Sequence, residues 1–188
     1  MLYLFAELAD DVRERETIVF DKPVLAWLDG HRTGTLTDIA LFLNVVGSVY
    51  LLGPVSLVIA ALLWRLSRRA AVFLTLSVAG ALGLNLAAKV LVGRLRPDLF
   101  DRLSIAPGYS FPSGHTMVST AFFLALFFVS KRFLPRYGWL VGTVSVLLSL
   151  SVGVSRSYLQ VHFPSDVLAG WLLAAAWVLG LNGWFRRR

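Results

Sequence analysis

The chain has no cysteine among its 188 residues, which excludes disulfides and thiolate metal sites. Charge is scarce too: Asp, Glu, Lys and Arg make up 15% of the residues, against about a quarter in an ordinary soluble domain. Acid is missing from two short turns and the C-terminal tail, which hold Arg65, Arg68, Arg69, Lys131, Arg132, Arg136, Arg186, Arg187 and Arg188. All eleven acidic residues lie elsewhere, with the other nine bases. The formal net charge of +7 is therefore no nucleic-acid patch. It is the positive-inside pattern, which places the base-rich ends in the cytoplasm and the opposite ends outside. A processed signal peptide is not expected either, because the apolar run at residues 2–9 is short and acids follow it at once.

Apolar residues fill the space that charge leaves. They form 57% of the chain, with a mean hydropathy of +0.71. Runs at 39–63, 70–92, 137–154 and 167–185 are close to or longer than the roughly 20 residues that cross a bilayer, and a further run at 116–129 is short and is expected to begin earlier, near Ser113. The expected fold is an all-α integral membrane bundle of about five transmembrane helices, at residues 39–188, behind an N-terminal interfacial helical segment at 1–38. Gly47, Gly53 and Pro54 predict that the first run is bent, or preceded by an interfacial helix ending near Gly47. Gly80 and Gly83, and Ser145, Ser149 and Ser151, give two spans small-residue faces for close packing. Trp64, Tyr137, Trp139 and Trp184 sit where an aromatic belt would lie. In the N-terminal segment, Glu7, Asp10, Asp11, Arg13, Glu14, Arg15 and Glu16 suggest a surface helix. Pro23 and Gly30 bracket a second short helix containing Trp27, and His31 reads as an exposed loop histidine without a role.

Ionisable residues near apolar helices are costly unless they serve a function. Three groups of them stand out at the ends opposite the base-rich turns. His162 and Asp166 flank Pro164, a residue suited to a helix's first turn, and their spacing of four lets them meet. An aspartate that takes the Nδ1 proton leaves Nε2 bare, as a nucleophile or base requires. Arg156 brings a planar fork suited to phosphate. Lys89 and Arg96 are seven apart, so on a helix continuing to Pro97 they share a face, with Lys89 about 10 Å deeper. Arg94 and Arg102 are adequately explained as interfacial anchors or loop charges. Pro112-Ser-Gly-His115 opens the third span, where backbone N–H groups attract an anion; Gly114 permits close approach and the Ser113 hydroxyl adds a donor. Three cations, a backbone nest and two histidines describe a site where a phosphate is attacked and released.

The same residues carry a family resemblance. Lys89, six intervening residues and Arg96-Pro97, then Pro112-Ser-Gly-His115, and Ser155-Arg156 followed by His162 and Asp166 together resemble the signature of the type 2 phosphatidic acid phosphatase superfamily. The resemblance implies a metal-independent lipid phosphatase without a cofactor. Lys89, Arg96, Ser113, Gly114 and Arg156 would hold the phosphate. His162 would be the nucleophile that becomes phosphohistidine, Asp166 its orienting partner, and His115 the acid that protonates the leaving alcohol. A carboxylate and an imidazole are also too few ligands for a metal, which the cations would repel.

The implied substrate is a lipid phosphate entering sideways from the bilayer: phosphatidylglycerol phosphate, phosphatidic acid or an isoprenyl pyrophosphate such as the undecaprenyl carrier. The reaction is expected at the outer face of the cytoplasmic membrane, with neither nucleic acid nor an obligate protein partner. A lipid phosphotransferase and a non-enzymatic phospholipid-binding or transport protein are the alternatives; an intact nucleophile and acid disfavour the second. The soluble haloperoxidases of the superfamily do not fit five apolar spans. Bacterial membrane members usually carry six spans, so the first is expected to be missing here or replaced by the charged N-terminal helix.

Overall fold

A computed structural model describes residues 1–14 and 18–187; Arg15, Glu16 and Arg188 lie outside the described residues. The described chain is all-helical: α1 (Leu2–Arg13), α2 (Asp21–Gly30), α3 (Gly34–Val46), α4 (Val49–Leu66), α5 (Arg68–Val92), α6 (Gly114–Phe133), α7 (Gly138–Tyr158) and α8 (Pro164–Arg187). Five of these, α4 to α8, are long and apolar enough to cross a membrane.

Local chemistry sets the helix ends. Thr33, Ser48, Ser67 and Ser113 cap α3, α4, α5 and α6 by accepting hydrogen bonds from the backbone N–H three residues on, which satisfies an otherwise orphan donor. The first apolar run breaks at Gly47, the C-cap of α3, so a short apolar helix precedes the span and crosses the 38–39 boundary drawn from sequence. Pro54 lies inside α4 and does not end it. Helix α5 stops earlier than Pro97 suggests. Gly93 adopts the left-handed conformation at φ 67°, a common helix terminator, and the chain then runs without helix to Ser113. Lys89 is thus on α5 and Arg96 is not. The two-turn spacing between them has no helical meaning.

The core gathers Leu74, Val78 and Ala81 of α5, Met117, Ala121 and Ala125 of α6, and Ala174 and Val178 of α8. Glycine meets a large ring at several crossings. A Cβ on Gly80 would lie 2.3 Å from the Trp177 indole, on Gly142 2.7 Å from Phe127, and on Gly153 2.4 Å from Trp171. Gly83, by contrast, faces open space. Ser145 and Ser149 are buried, and Ser149 pairs with Thr120 at 2.6 Å between hydroxyls, whereas Ser151 is exposed. Outward-facing Leu57, Leu62, Val90, Leu147 and Val154 present the apolar surface a bilayer covers.

Arg69, Lys131, Arg132 and Arg186 ring a cavity of about 420 Å³ at one end of the bundle. The turns at the other end carry the candidate site. Small-for-large packing at Gly80 is directly testable by thermal unfolding in detergent. Gly80→Ala should cost about 1–3 kcal/mol by overpacking against Trp177, while Gly83→Ala should leave the melting temperature unchanged or raise it. Equal behaviour of the two variants would contradict this packing.

Candidate active site

Between α7 and α8 the chain reverses through Gln160, a buried residue at φ 58°. This left-handed conformation is sterically unfavourable for a side chain with a Cβ, and the Gln160 amide steadies it by donating to the Leu25 carbonyl of α2 at 3.0 Å. The reversal delivers His162, 2% exposed, next to the first turn of α8. His162 Nδ1 lies 3.3 Å from Asp166 Oδ2, and Nε2 lies 3.0 Å from Arg96 Nη1. A guanidinium has no acceptor, so Arg96 donates and Nε2 accepts. That fixes the imidazole proton on Nδ1, facing the carboxylate. Burial, then the charges of Arg96, Arg156 and Lys89, hold the His162 pKa well below the usual histidine value of 6.5, because both effects disfavour the imidazolium.

Asp166 is completely buried and its bonds are divided. Oδ2 accepts the Phe163 N–H at 3.0 Å, and Oδ1 accepts from Arg94 at 2.6 Å. Its backbone carbonyl accepts the Ser113 N–H at 3.0 Å, which ties the start of α8 to the start of α6. Ser113 Oγ caps α6, accepting from Thr116 Oγ1 at 2.9 Å and leaving the serine proton free for another acceptor. Gly114 follows it against Asn85: an added Cβ would lie 3.1 Å from Asn85 Oδ1. His115 is half-buried and within electrostatic range of Arg156, His162 and Arg96.

The cations are held by neutral oxygens. Lys89 Nζ donates to the carbonyls of Tyr109 and Ser110 at 2.6 and 3.3 Å. Arg96 donates to the carbonyls of Gly108, Pro107 and Tyr109 at 3.0 to 3.2 Å and to Val161 at 2.7 Å. Arg156, 1% exposed, donates to the Asn44 side-chain oxygen. The structure therefore brings Lys89, Arg96, Ser113, Gly114, His115, Arg156, His162 and Asp166 to one end of the bundle, with a loop of backbone carbonyls over two of them.

Several residues that build this place escape sequence reasoning. Asn85 holds the loop before α6 by donating to the Pro112 carbonyl at 3.0 Å; its signal was an amide inside an apolar run, a position that demands a partner. Asn44 gave the same signal. Arg94 is a loop charge and not an interfacial anchor, and its guanidinium pairs with the buried Asp166 and Asp21. Nothing local marked Asp21, whose partners are more than 70 residues away in sequence.

Residues 70–188 match the PAP2 superfamily, and an undecaprenyl-diphosphatase of Sulfolobus acidocaldarius is 30% identical over 89% of this chain and 79% of its own length. The chain belongs to the PAP2 superfamily. It is a multi-pass membrane lipid phosphatase, of a superfamily whose catalysis proceeds through phosphohistidine. Phosphatidylglycerophosphatase B of Bacillus subtilis is 39% identical over 93 residues, 48% of this chain and 45% of that protein. The crystal structure of a PAP2-type phosphatidylglycerolphosphate phosphatase from the same organism superposes with a TM-score of 0.91 at 25% identity, covering 99% of this chain and 94% of the other.

The electrostatics of this PAP2 site have a spectroscopic consequence. Side-chain NMR of His162 should report a neutral ring protonated at Nδ1 at pH 6.5 and still neutral as the pH falls well below that value. An imidazolium signal at pH 6.5 would contradict the geometry.

Proposed function

We propose that this PAP2 enzyme hydrolyses a lipid phosphate or pyrophosphate at the extracytoplasmic face of the cytoplasmic membrane, with His162 as nucleophile and His115 as acid. The observation that carries the reading is the His162 ring: Nδ1 on Asp166 and Nε2 directed at Arg96, with the charges of Lys89 and Arg156 close enough to act on it.

In this reading the phosphoryl oxygens displace the loop carbonyls from Lys89 and Arg96 and also contact Arg156, Ser113 and the Gly114 amide. Nε2 attacks phosphorus as the bond to the leaving oxygen breaks, and His115 gives that oxygen its proton. The ring, now bonded to phosphorus and still protonated on Nδ1, is cationic and rests on Asp166. Water then attacks the phosphohistidine, its proton passes to the departing phosphate as the bond to Nε2 breaks, Nε2 is bare again and solvent reprotonates His115. Fixed cations around the equatorial oxygens lower the barrier because they need no reorganisation during the reaction. The names of the relatives favour a lipid carrying phosphate or pyrophosphate, with its tail in the bilayer and its headgroup in the pocket. A phosphate-release assay across monophosphate and pyrophosphate lipids identifies which.

Leaving-group chemistry separates the two histidines. His162→Ala should abolish hydrolysis of lipid and aryl phosphates alike. His115→Ala should lose about 10²- to 10⁴-fold on a lipid alcohol, the usual scale of general-acid catalysis, and far less on p-nitrophenyl phosphate, whose phenolate leaves unaided. Equal losses on both substrates would remove His115 from the acid's role.

The proposed orientation follows from the charge segregation and is open to labelling, since a cysteine-free chain gives a silent background. An Asp101→Cys variant should react with an impermeant thiol reagent on intact cells, and Ser67→Cys only after the membrane is opened. The reverse pattern would put the site in the cytoplasm.

A further inference from the structure

We propose that Arg94 is a positioning residue for the His162–Asp166 pair, and that Asp21 of α2 sets how much of its charge Asp166 receives. The inference rests on the roles given to His162 and Asp166 above. Arg94 Nη1 donates to Asp166 Oδ1 at 2.6 Å and to Ser165 Oγ at 2.7 Å, while Nη2 donates to Asp21 Oδ2 at 2.7 Å. Phe163 closes one face of the guanidinium, 4.0 Å from its carbon. Asp21 receives two more bonds, from the Ser165 N–H at 2.9 Å and the Ser165 hydroxyl at 2.6 Å. Side-chain exposure is 14% for Arg94, 3% for Asp21 and 0% for Asp166. One planar fork thus joins α2 to the buried Asp166 carboxylate at the wall of an open cavity, where charge-assisted pairs are strong and losing the partner of a buried charge is costly.

Two functions follow from that geometry. The first is orientation. Asp166 Oδ2 faces His162 and the Phe163 N–H, and the bond from Arg94 to Oδ1 stops the carboxylate turning about its Cβ–Cγ axis. A lysine cannot do this while also reaching Asp21, because it offers a point charge and not a fork.

The second function is charge. A lone Arg94–Asp166 pair would be neutral and would leave little for the imidazole. Sharing Arg94 with Asp21 leaves the three groups with a net charge of −1. That surplus faces His162 when its ring becomes cationic on bonding phosphorus. The other charged or titratable groups around His162 are cations or a second imidazole: Lys89 from α5, Arg96 from the loop after it, His115 from α6 and Arg156 from α7. The Asp21–Arg94–Asp166 cluster is therefore the local source of negative charge.

The test uses purified full-length protein with p-nitrophenyl phosphate, whose leaving group needs no acid, and inorganic phosphate as a competitive probe of the cation pocket. Arg94→Gln and Arg94→Lys should each lower kcat on the order of 10²-fold, as small misplacements of reacting groups do, with phosphate inhibition within about two-fold of wild type. In Arg94→Gln the acidic limb of the rate profile should also move to higher pH, because an Asp166 freed of its cation retains the proton on His162. Asp21→Asn preserves the size and is the variant least disturbing to folding. It should lower kcat with phosphate inhibition unchanged, while Asp21→Glu restores part of the rate.

A full rate in Arg94→Lys, or phosphate inhibition weakening in step with kcat, would overturn the proposal and make Arg94 a packing or phosphate-binding residue. An unaltered rate in Asp21→Asn would overturn the charge-sharing half. His162→Ala run alongside distinguishes the levels. If it stays active, the underlying nucleophile assignment fails; if it is dead and the Arg94 variants are not, only the positioning role fails.

Discussion

Asp166 has two oxygens and three tasks, and the rest of the site is arranged around their division. One oxygen fixes the tautomer of His162 while accepting a backbone N–H, and the other anchors Arg94. Because the carboxylate is fully buried, each of those bonds is made in a medium where an unmet charge is severely penalised. The backbone carbonyl of the same residue holds the first turn of α6. A single residue at the start of α8 thereby ties His162 to the Ser113–Gly114–His115 turn, at the end where α6 and α8 approach closely.

The bundle beneath is built by a different rule. With few polar groups, helices in lipid gain from contact area, and here the area comes from glycine accepting an aromatic ring across the interface, as at Gly80, Gly142 and Gly153. The result is a packed base whose helix ends and connecting turns carry the candidate site residues. The contrast in composition is sharp: apolar, interlocking surfaces below, and a dense ionic and amide network above.

The five spans were legible because a bilayer imposes length and hydropathy on each, and their predicted ends fall within a few residues of the observed ones except where the first run breaks at Gly47. The site blocks were legible because a lysine, arginines and histidines beside apolar helices need a purpose. Two kinds of information were not available locally. Lys89 and Arg96 appeared to share a helical face, yet Gly93 turns the chain out of the helix between them, and a left-handed glycine is not distinguishable by pattern from a packing one. Arg94 looked like an anchor because its partners are Asp166 and Asp21, which lie 72 and 73 positions away. The N-terminal segment carries no such signal for the same reason: the Asp21 carboxylate and the Leu25 carbonyl acquire their partners only after folding.

The carbonyls of residues 107–110 that hold Lys89 and Arg96 have a thermodynamic meaning of their own. In the proposed function they are dipoles standing where a phosphate would bind, so a headgroup would exchange with partners that carry no net charge. Had carboxylates held these cations, substrate would have had to break ion pairs to enter. Under that proposal the arrangement would grade incoming lipids by charge: a zwitterionic or uncharged headgroup offers little more than the peptide oxygens already there, and a phosphate dianion offers a great deal. Selectivity against weakly charged lipids would then lie in the loop's backbone.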